Sequence, residues 1–195
     1  VGEGGLHVES IEPAGRATVY DLYEPATDTW ITEGVVSRGC GEQFLHFSNA
    51  CNLGSIDLVK YHDPLERVDF DRLARDVHAA VRFLDNVIDV CSWPLPSIED
   101  MVRRTRPVGL GVMGVADLML ELGIRYGSDD AIAFTDEVLG FVRREAWRAS
   151  LALGREKGAF PEFEANSDLY ESFFDDTLRL PADDPITPRN YEVTT

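Results

Sequence analysis

The chain has 195 residues, of which 44% are hydrophobic, enough for one ordinary globular core or part of a larger one. Its 35 acidic and 18 basic residues give a formal charge of -17, which repels nucleic-acid phosphates and anionic membranes, so we expect neither as a partner. No apolar run approaches the roughly 20 residues that span a bilayer, and residues 1–5 lack the segments of a signal peptide. Three cysteines without framework spacing indicate a reducing cytoplasm.

Residues 1–39 differ in character from the rest of the chain. Residues 16–23 and 30–36 are rich in β-branched and aromatic side chains, and a turn-prone stretch at 24–29 separates them. We predict two strands joined by a loop, a β-hairpin. Because the chain has no initiator Met and stops in a β-prone run at 191–195, we expect it to be a fragment of a longer protein.

The pattern becomes helical from about residue 69. Apolar residues recur at three- and four-residue intervals and predict an amphipathic helix over about 70–90: Phe70, Leu73, Val77, Val81, Leu84 and Ile88. A Pro-rich turn at 93–96 ends this helix. A capping-box-like Ser97 begins a short helix towards Arg106, and a further helix covers 116–122. Ser128 then caps a long helix, with Phe134, Val138, Phe141 and Trp147 on its buried side, which ends at Gly158. The predicted class is α/β, largely helical over 70–158.

The segment from Cys40 to residue 58 holds the most informative chemistry. In an extended stretch, Cys40 and Glu42 point to the same side, and Gly41 between them allows a ligand to approach closely. Cys51 returns to Cys40 only if the chain folds back through residues 46–49. A thiol, a carboxylate and a second thiol form a redox and acid–base set. On spacing alone an inert structural role is the alternative, because buried cysteines usually act as small hydrophobic residues.

The sequence of this segment closely resembles the finger loop of class II, adenosylcobalamin-dependent ribonucleotide reductases. The resemblance covers residues 40–195 in the family's order, and the stretches that carry it are 40–43, 51–58, 81–89, 94–96, 108–117 and 158–161. It implies that 40–195 is part of a ten-stranded α/β barrel with the finger loop through its centre.

The resemblance also implies a role for each matching residue. Cys40 becomes a thiyl radical through the deoxyadenosyl radical of adenosylcobalamin and abstracts the ribose 3′-hydrogen. Glu42 takes the 3′-hydroxyl proton, and Gly41 lies at the substrate. Cys51 is one of two thiols that reduce the 2′-carbon and close to a disulfide.

The implied partners are a ribonucleoside di- or triphosphate, the remainder of the reductase chain, a thioredoxin-type reductant and a second copy in a homodimer. The partner thiol, the phosphate-binding loop and the carboxy-terminal cysteine pair of such enzymes have no counterpart in this sequence. We therefore expect the isolated chain to be inactive.

The residues just before Cys40 depart from the family. Family members have Asn-Pro where this chain has Arg38 and Gly39, and a donor-only guanidinium at the substrate-binding position cannot simply replace the asparagine. Residues 19–22 and 31–36 resemble the carboxy-terminal splicing block of an intein, which predicts an intein-like tail over 1–39 and Cys40 as the junction nucleophile. Such blocks end in His-Asn, and Gly39 has no side-chain amide, so ordinary release should fail. A divergent host segment or a sequence error is the alternative.

A third hypothesis is a nicotinamide dinucleotide-binding domain. Residues 109–114 match the dinucleotide fingerprint, and Asp129 or Asp130 follows at a suitable distance. The match follows a helix and Arg106-Pro107 instead of a clear strand, so the glycines are better explained as close-packing positions.

The remaining polar clusters predict no metal site. Cys40, Cys51, Cys91, His46 and His62 lack zinc-ligand spacing. His78 is interpreted as a packed or solvent-edge residue, Cys91 as a core or surface thiol, and Asp85 with Asp89 as a solvated or capping edge. Arg103, Arg104 and Arg106 form the one basic cluster of the sequence, with an ordinary surface role favoured over a phosphate contact.

Overall fold

A computed structural model describes residues 45, 48–168, 170, 173–174 and 186–194, together with the backbone of 30–32 and 35–37. The chain divides into two compact units, Val1–Glu42 and Gln43–Thr195. In the first unit, β1 (Trp30–Thr32) and β2 (Val35–Ser37) pair antiparallel. The single strand predicted over 30–36 is therefore wrong. Gly34 interrupts its β-branched run, and glycine favours a turn over a continuous strand. The strand predicted over 16–23 lies outside the described residues.

The second unit is a mixed α/β arrangement. Its main elements are β3 (Asn52–Asp57), α1 (Phe70–Val90), α2 (Pro96–Thr105), β6 (Val108–Met113), α3 (Val115–Glu121) and α4 (Asp129–Lys157). A small hairpin, β4 (His62–Asp63) and β5 (Arg67–Val68), precedes α1, and 3-10 turns cover Leu58–Tyr61 and Glu164–Asn166. The helices predicted over 70–90, 116–122 and from Ser128 to Gly158 are confirmed.

The main sheet of this unit is parallel, and β6 lies between β3 and residues 192–194. Strands β3 and β6 pair from Asn52 opposite Val108 to Asp57 opposite Met113. On the other side of β6, the amides of Val108 and Leu110 donate to the carbonyls of Glu192 and Val193 at 3.1 and 3.0 Å. A parallel pair needs a crossover connection, which α1 and α2 supply.

The glycine-rich stretch at 109–114 lies almost entirely in β6. The sequence pattern predicts no strand here, because glycine is a poor strand former. The strand forms because backbone partners flank it on both sides, and these partners come from distant parts of the sequence. Gly109 and Gly111 lie within the strand, and only Gly114, with φ of +76°, stands between β6 and α3, whereas a dinucleotide fingerprint places its first two glycines in that turn.

The core lies between the sheet and two helices, α1 and α4. The apolar stripe predicted for α1 is buried from Leu73 to Ile88, and Gly54 brings the sheet against it, since a Cβ there would lie 3.5 Å from a methyl of Leu84. On α4 three of the four residues predicted on the inward face are buried: Phe134, Val138 and Trp147. The fourth, Phe141, is half-buried. None of the described helices is long and apolar enough to cross a membrane.

Helix ends follow local chemistry, with one exception to the prediction. The Ser128 hydroxyl accepts from the Ala131 amide at 3.2 Å at the start of α4, and Gly158 ends that helix with φ of +90°. The predicted cap at Ser97 is wrong. Leu95 precedes α2 without a side-chain cap, and Pro96 begins the helix, where its missing N–H is not needed.

Candidate functional site

Cys51 is the predicted site residue that the structure describes. The others lie outside the described residues: Arg38, Gly39, Cys40, Gly41 and Glu42. Their grouping with Cys51 therefore stays a prediction. The thiol of Cys51 is half-buried and directly precedes β3.

Two asparagines hold the backbone on either side of Cys51. The amide of Asn49 donates to the Thr105 hydroxyl at 3.0 Å, and its carbonyl oxygen accepts from the backbone N–H of Ala50 at 3.0 Å. The side-chain amide of Asn52 donates to the Leu84 carbonyl at 3.0 Å. Cys51 is thus tied on one side to the end of α2 and on the other to α1.

The alternation of side chains along β3 assigns Cys51 to the sheet face that turns away from the helices. Ile56 is buried against the helices, whereas Leu53 and Ser55 are exposed on the opposite face. Cys51 stands one residue before β3, and continuing the alternation of Leu53 and Ser55 predicts its thiol on this face. Across from these two residues, β6 presents Gly109, which is buried, and Gly111, which is half-buried.

A buried ionic cluster lies at the starts of the parallel strands. The Asp85 side chain is fully buried and accepts from Arg106 Nε at 2.9 Å, Lys157 Nζ at 3.0 Å and Asn190 Nδ2 at 3.1 Å. Arg106, only 4% exposed, also donates to Asp89 at 2.8 Å. We call these five residues the Asp85 cluster. The burial of the Asp85 carboxyl opposes its ionisation, but the charge of Arg106 and the hydrogen bond from Lys157 hold its pKa below the usual value.

The cluster extends to the last described segment of the chain. The side-chain amide of Asn190 also donates to the Arg106 carbonyl at 3.1 Å, and its oxygen accepts from the Ser150 hydroxyl at 3.0 Å. Arg189 Nε approaches the Asp85 carboxylate at 3.4 to 3.5 Å. Residues 189–190 are therefore joined to α1, to the end of α2 and to α4.

This cluster corrects two predictions. Asp85 does not lie on a solvated or capping edge, because it shares the buried stripe of α1 with Val81 and Ile88. Arg106 is not a surface residue, because it forms the buried pair with Asp85. A sequence signal existed, since an acidic residue one helical turn from Val81 falls on the apolar face of the helix.

The other polar residues form pairs outside the Asp85 cluster. Arg103 pairs with Glu99, and Arg104 pairs with Glu162 and Asp100, all at exposed positions. His78 contacts Glu145 at 2.9 Å and is 43% exposed, in line with the predicted solvent-edge residue. The Cys91 thiol donates to the Ser92 carbonyl at 3.8 Å just after α1. Among the described residues, no group of three His, Cys, Asp or Glu side chains is placed to hold a metal ion.

A cavity of about 790 Å³ opens beside residues 191–194, and Thr105 contributes to its wall. Its walls are largely aromatic and include Trp147, Phe160 and Tyr170. Glu192 also lines it, and one carboxyl oxygen of Glu192 is buried without a hydrogen-bond partner among the described residues. Burial raises the pKa of this carboxyl.

A known family accounts for most of the chain. Residues 33–185 match the family model described as ribonucleotide reductase, barrel domain. Because this match covers well over half of the sequence, the chain belongs to that family.

Individual relatives agree with the family match. The chain is 47% identical over 122 residues to a vitamin B12-dependent ribonucleoside-diphosphate reductase of Thermoplasma acidophilum, covering 63% of this chain and 16% of that protein. It is 45% identical over 124 residues to the protein of the same description from Mycobacterium tuberculosis H37Rv, covering 64% and 17%. A ribonucleoside-diphosphate reductase subunit alpha of Chlamydia pneumoniae is 38% identical over 139 residues, covering 68% and 13%. The chain thus spans about a sixth of the length of the relatives named vitamin B12-dependent.

Proposed function

We propose that the chain is part of the catalytic barrel of a ribonucleotide reductase, an oxidoreductase that makes deoxyribonucleotides by thiyl-radical chemistry. The observation that carries the proposal is the family match over 33–185, which includes the whole segment from Cys40 to Cys51. The parallel pairing of β3 with β6 around a helical crossover is the kind of unit from which an α/β barrel is built. In the whole enzyme, we propose, this unit belongs to a ten-stranded barrel.

The position of Cys51 supports its role in this chemistry. The alternation of β3 predicts its thiol on the sheet face opposite the helices, the face on which Leu53 and Ser55 are exposed. We propose that Cys51 is one of the two thiols that reduce the substrate and are oxidised together to a disulfide. Cys40 carries the radical, Glu42 exchanges the proton of the 3′-hydroxyl and Gly41 lines the substrate; Arg38 lines it as well only in a protein that keeps residues 1–39. An ionised carboxylate near neutral pH is suited to such proton transfer.

Adenosylcobalamin is the proposed cofactor, because the Thermoplasma and Mycobacterium relatives are named vitamin B12-dependent. The described residues alone do not fit such a group. His78 is engaged by Glu145, and no other described residues form a ligand cluster. The proposed roles therefore concern the thiols and the carboxylate alone. The ribonucleotide substrate, a thioredoxin-type reductant, the remainder of the reductase chain and a homodimeric state belong to the same proposal.

Nucleotide reduction by the reductase that contains this chain tests the proposal. The enzyme is assayed with ribonucleoside di- and triphosphates, adenosylcobalamin and a dithiol reductant. We expect Glu42→Gln to lower turnover by about 10²- to 10⁴-fold, the usual contribution of a general acid or base. Cys51→Ser should abolish sustained turnover, because a single thiol cannot form the disulfide.

Cys91→Ser is the matched control, because Cys91 lies at the end of α1 and has no role in the proposal. It should leave turnover unchanged. Turnover at the wild-type rate in Cys51→Ser would remove the proposed role of that thiol. Absence of nucleotide reduction by the wild-type enzyme with every substrate would contradict the proposed function as a whole.

The tail over 1–39 is proposed to be intein-like, with Cys40 at the splice junction. Cleavage of the cellular protein at glutamates, followed by mass spectrometry, tests this directly. An excised tail yields Cys40-Gly-Glu42 joined to a new upstream sequence. A dominant peptide covering residues 34–42 shows that the tail stays attached and contradicts excision. Glu42→Gln separates the two chemistries, because splicing does not need that carboxylate.

A further inference from the structure

The Asp85 cluster joins segments that are far apart in the sequence. Asp85 and Asp89 belong to α1, Arg106 follows α2, Lys157 ends α4 and Asn190 lies near the end of the described chain. Arg106 has φ of +49°, in the left-handed region that residues with a side chain rarely adopt. The two hydrogen bonds that its side chain makes to Asp85, one to the carboxylate and one to the main-chain carbonyl, hold it in this conformation.

The cluster adjoins, in the chain, the two residues that hold the backbone around Cys51, which we call its anchors. Thr105, which accepts the hydrogen bond of Asn49, is the residue before Arg106. Leu84, whose carbonyl accepts from Asn52, is the residue before Asp85. Both anchors are therefore neighbours, in the chain, of the two residues that form the central ion pair. Thr105 and Leu84 thus connect the cluster to the segment that carries Cys51.

We propose that the Asp85 cluster is a positioning device for the Cys51 thiol. By fixing Thr105 and Leu84, it sets the backbone at Asn49 and Asn52 and so the place of the thiol at the open face of the sheet. The functional meaning of this placement rests on the proposed role of Cys51 in nucleotide reduction. Asp85, Arg106 and Thr105 are thus positioning residues and do not touch substrate.

The same cluster also fixes the segment that pairs with β6. The Tyr191 amide donates to the Thr105 carbonyl at 2.9 Å, while the Thr105 hydroxyl serves Asn49. One residue therefore links the Cys51 segment to the strand on the far side of the sheet. Loss of the hydroxyl should release the Cys51 side and remove the hydroxyl's own bond to the Met101 carbonyl in α2, at 2.8 Å, whereas the link to Tyr191 remains because it uses the Thr105 carbonyl.

Alkylation of the individual cysteines in the reductase that contains this chain tests the proposal. The reduced chain is treated with iodoacetamide across a range of pH, and modification of Cys51 and Cys91 is counted separately by peptide mass spectrometry. Thr105→Val removes the hydroxyl with little change of shape, and Thr105→Ser retains it. We expect Thr105→Val to raise the ratio of Cys51 to Cys91 modification about fivefold, the factor expected for loss of one ordinary hydrogen bond. Thr105→Ser should restore the wild-type ratio.

Leu73→Ala controls for general loosening of the protein. Leu73 is fully buried on α1, three helical turns from Leu84, so this variant is destabilised without touching either anchor. Its ratio should equal that of the wild type. A Thr105→Val ratio within twofold of the wild type, or an equal rise in Leu73→Ala, would overturn the proposal.

Asp85→Asn extends the test to the centre of the cluster and should change the ratio in the same direction as Thr105→Val. If that variant does not fold, Thr105→Val decides alone. Because alkylation is read without nucleotide reduction, a failure of the positioning role is distinguishable from a failure of the proposed function. The latter is judged only by the turnover of Cys51→Ser and the wild-type enzyme.

Discussion

Gly154 on α4 is the position where a single methyl group should do most damage. A Cβ placed there would lie 1.6 Å from the Thr187 carbonyl oxygen and 3.2 Å from the Arg189 nitrogen, where ordinary contacts begin at 3.4 Å. Both neighbours are backbone atoms, so no side-chain rotation relieves the overlap. Gly154→Ala must therefore push residues 187–189 away from the helix.

The magnitude follows from what that displacement breaks. The Arg189 amide donates to the Ser150 carbonyl at 3.1 Å, and Asn190 bonds both Ser150 and Asp85. Such bonds contribute about 1 kcal/mol each, and more when one partner is charged. Against this, alanine improves helix propensity by about 0.5–1 kcal/mol over glycine. We expect a net loss of about 2–3 kcal/mol in the free energy of unfolding.

Urea denaturation followed by circular dichroism measures this change, and Gly140→Ala is its matched control. Gly140 lies on the same helix, but a Cβ there meets only the tip of the flexible Arg144 side chain, at 3.1 Å. The control should be more stable by about 0.5–1 kcal/mol. A Gly154→Ala protein as stable as the wild type would refute the close packing of residues 187–189 on α4. Equal losses in both variants would show that helix packing does not distinguish the two positions.

Two further predictions concern the buried carboxyls. The charge of Arg106 and the hydrogen bond from Lys157 outweigh burial, so folding lowers the pKa of Asp85 from 3.8. The contribution of the ionised Asp85 to the free energy of unfolding is therefore complete above pH 3.8 and is lost as the pH falls through the lower folded-state pKa. Urea midpoints from pH 7 to pH 2 should show this loss, and Asp85→Asn should flatten it; an unchanged acid limb would contradict the assignment. Burial raises the pKa of Glu192 above 4.5, so folding favours its protonated form and its contribution to stability falls as the pH rises. Glu192→Gln should therefore raise the urea midpoint at pH 7.5 but leave it nearly unchanged at pH 4, whereas a lower midpoint at pH 7.5 would count against this reasoning.

Helices could be predicted from the sequence because their signals are local. The stripe from Leu73 to Ile88 and the cap at Ser128 each lie within a few turns of one helix, and both are confirmed. Strand β6 could not be predicted, because Gly109 and Gly111 give it little intrinsic preference for a strand. Its pairing with β3 and with residues 192–194 supplies that preference from elsewhere in the chain.

The candidate site divides in the same way. Cys51 can be predicted as a site residue because the motif that contains it is a continuous stretch of sequence. The Asp85 cluster was missed because its members lie on separate elements and meet only in the folded chain. Asp85 alone gave a hint, as an acid within the apolar face of α1, but its partners Arg106 and Lys157 carry no local sign of burial.

The energetics of buried charges favour positioning as the role of the Asp85 cluster. Removing water from a carboxylate and a guanidinium costs about as much as their attraction returns, so a buried ion pair adds little net stability over well-packed apolar residues. Apolar side chains, however, cannot accept or donate hydrogen bonds in fixed directions. The Asp85 and Arg106 side chains direct such bonds to each other and to Asp89, Lys157 and Asn190, and so fix the backbone beside Thr105 and Leu84. The cluster therefore determines where the Cys51 segment lies more than how strongly the chain folds, which is why thiol reactivity is the sharper measurement.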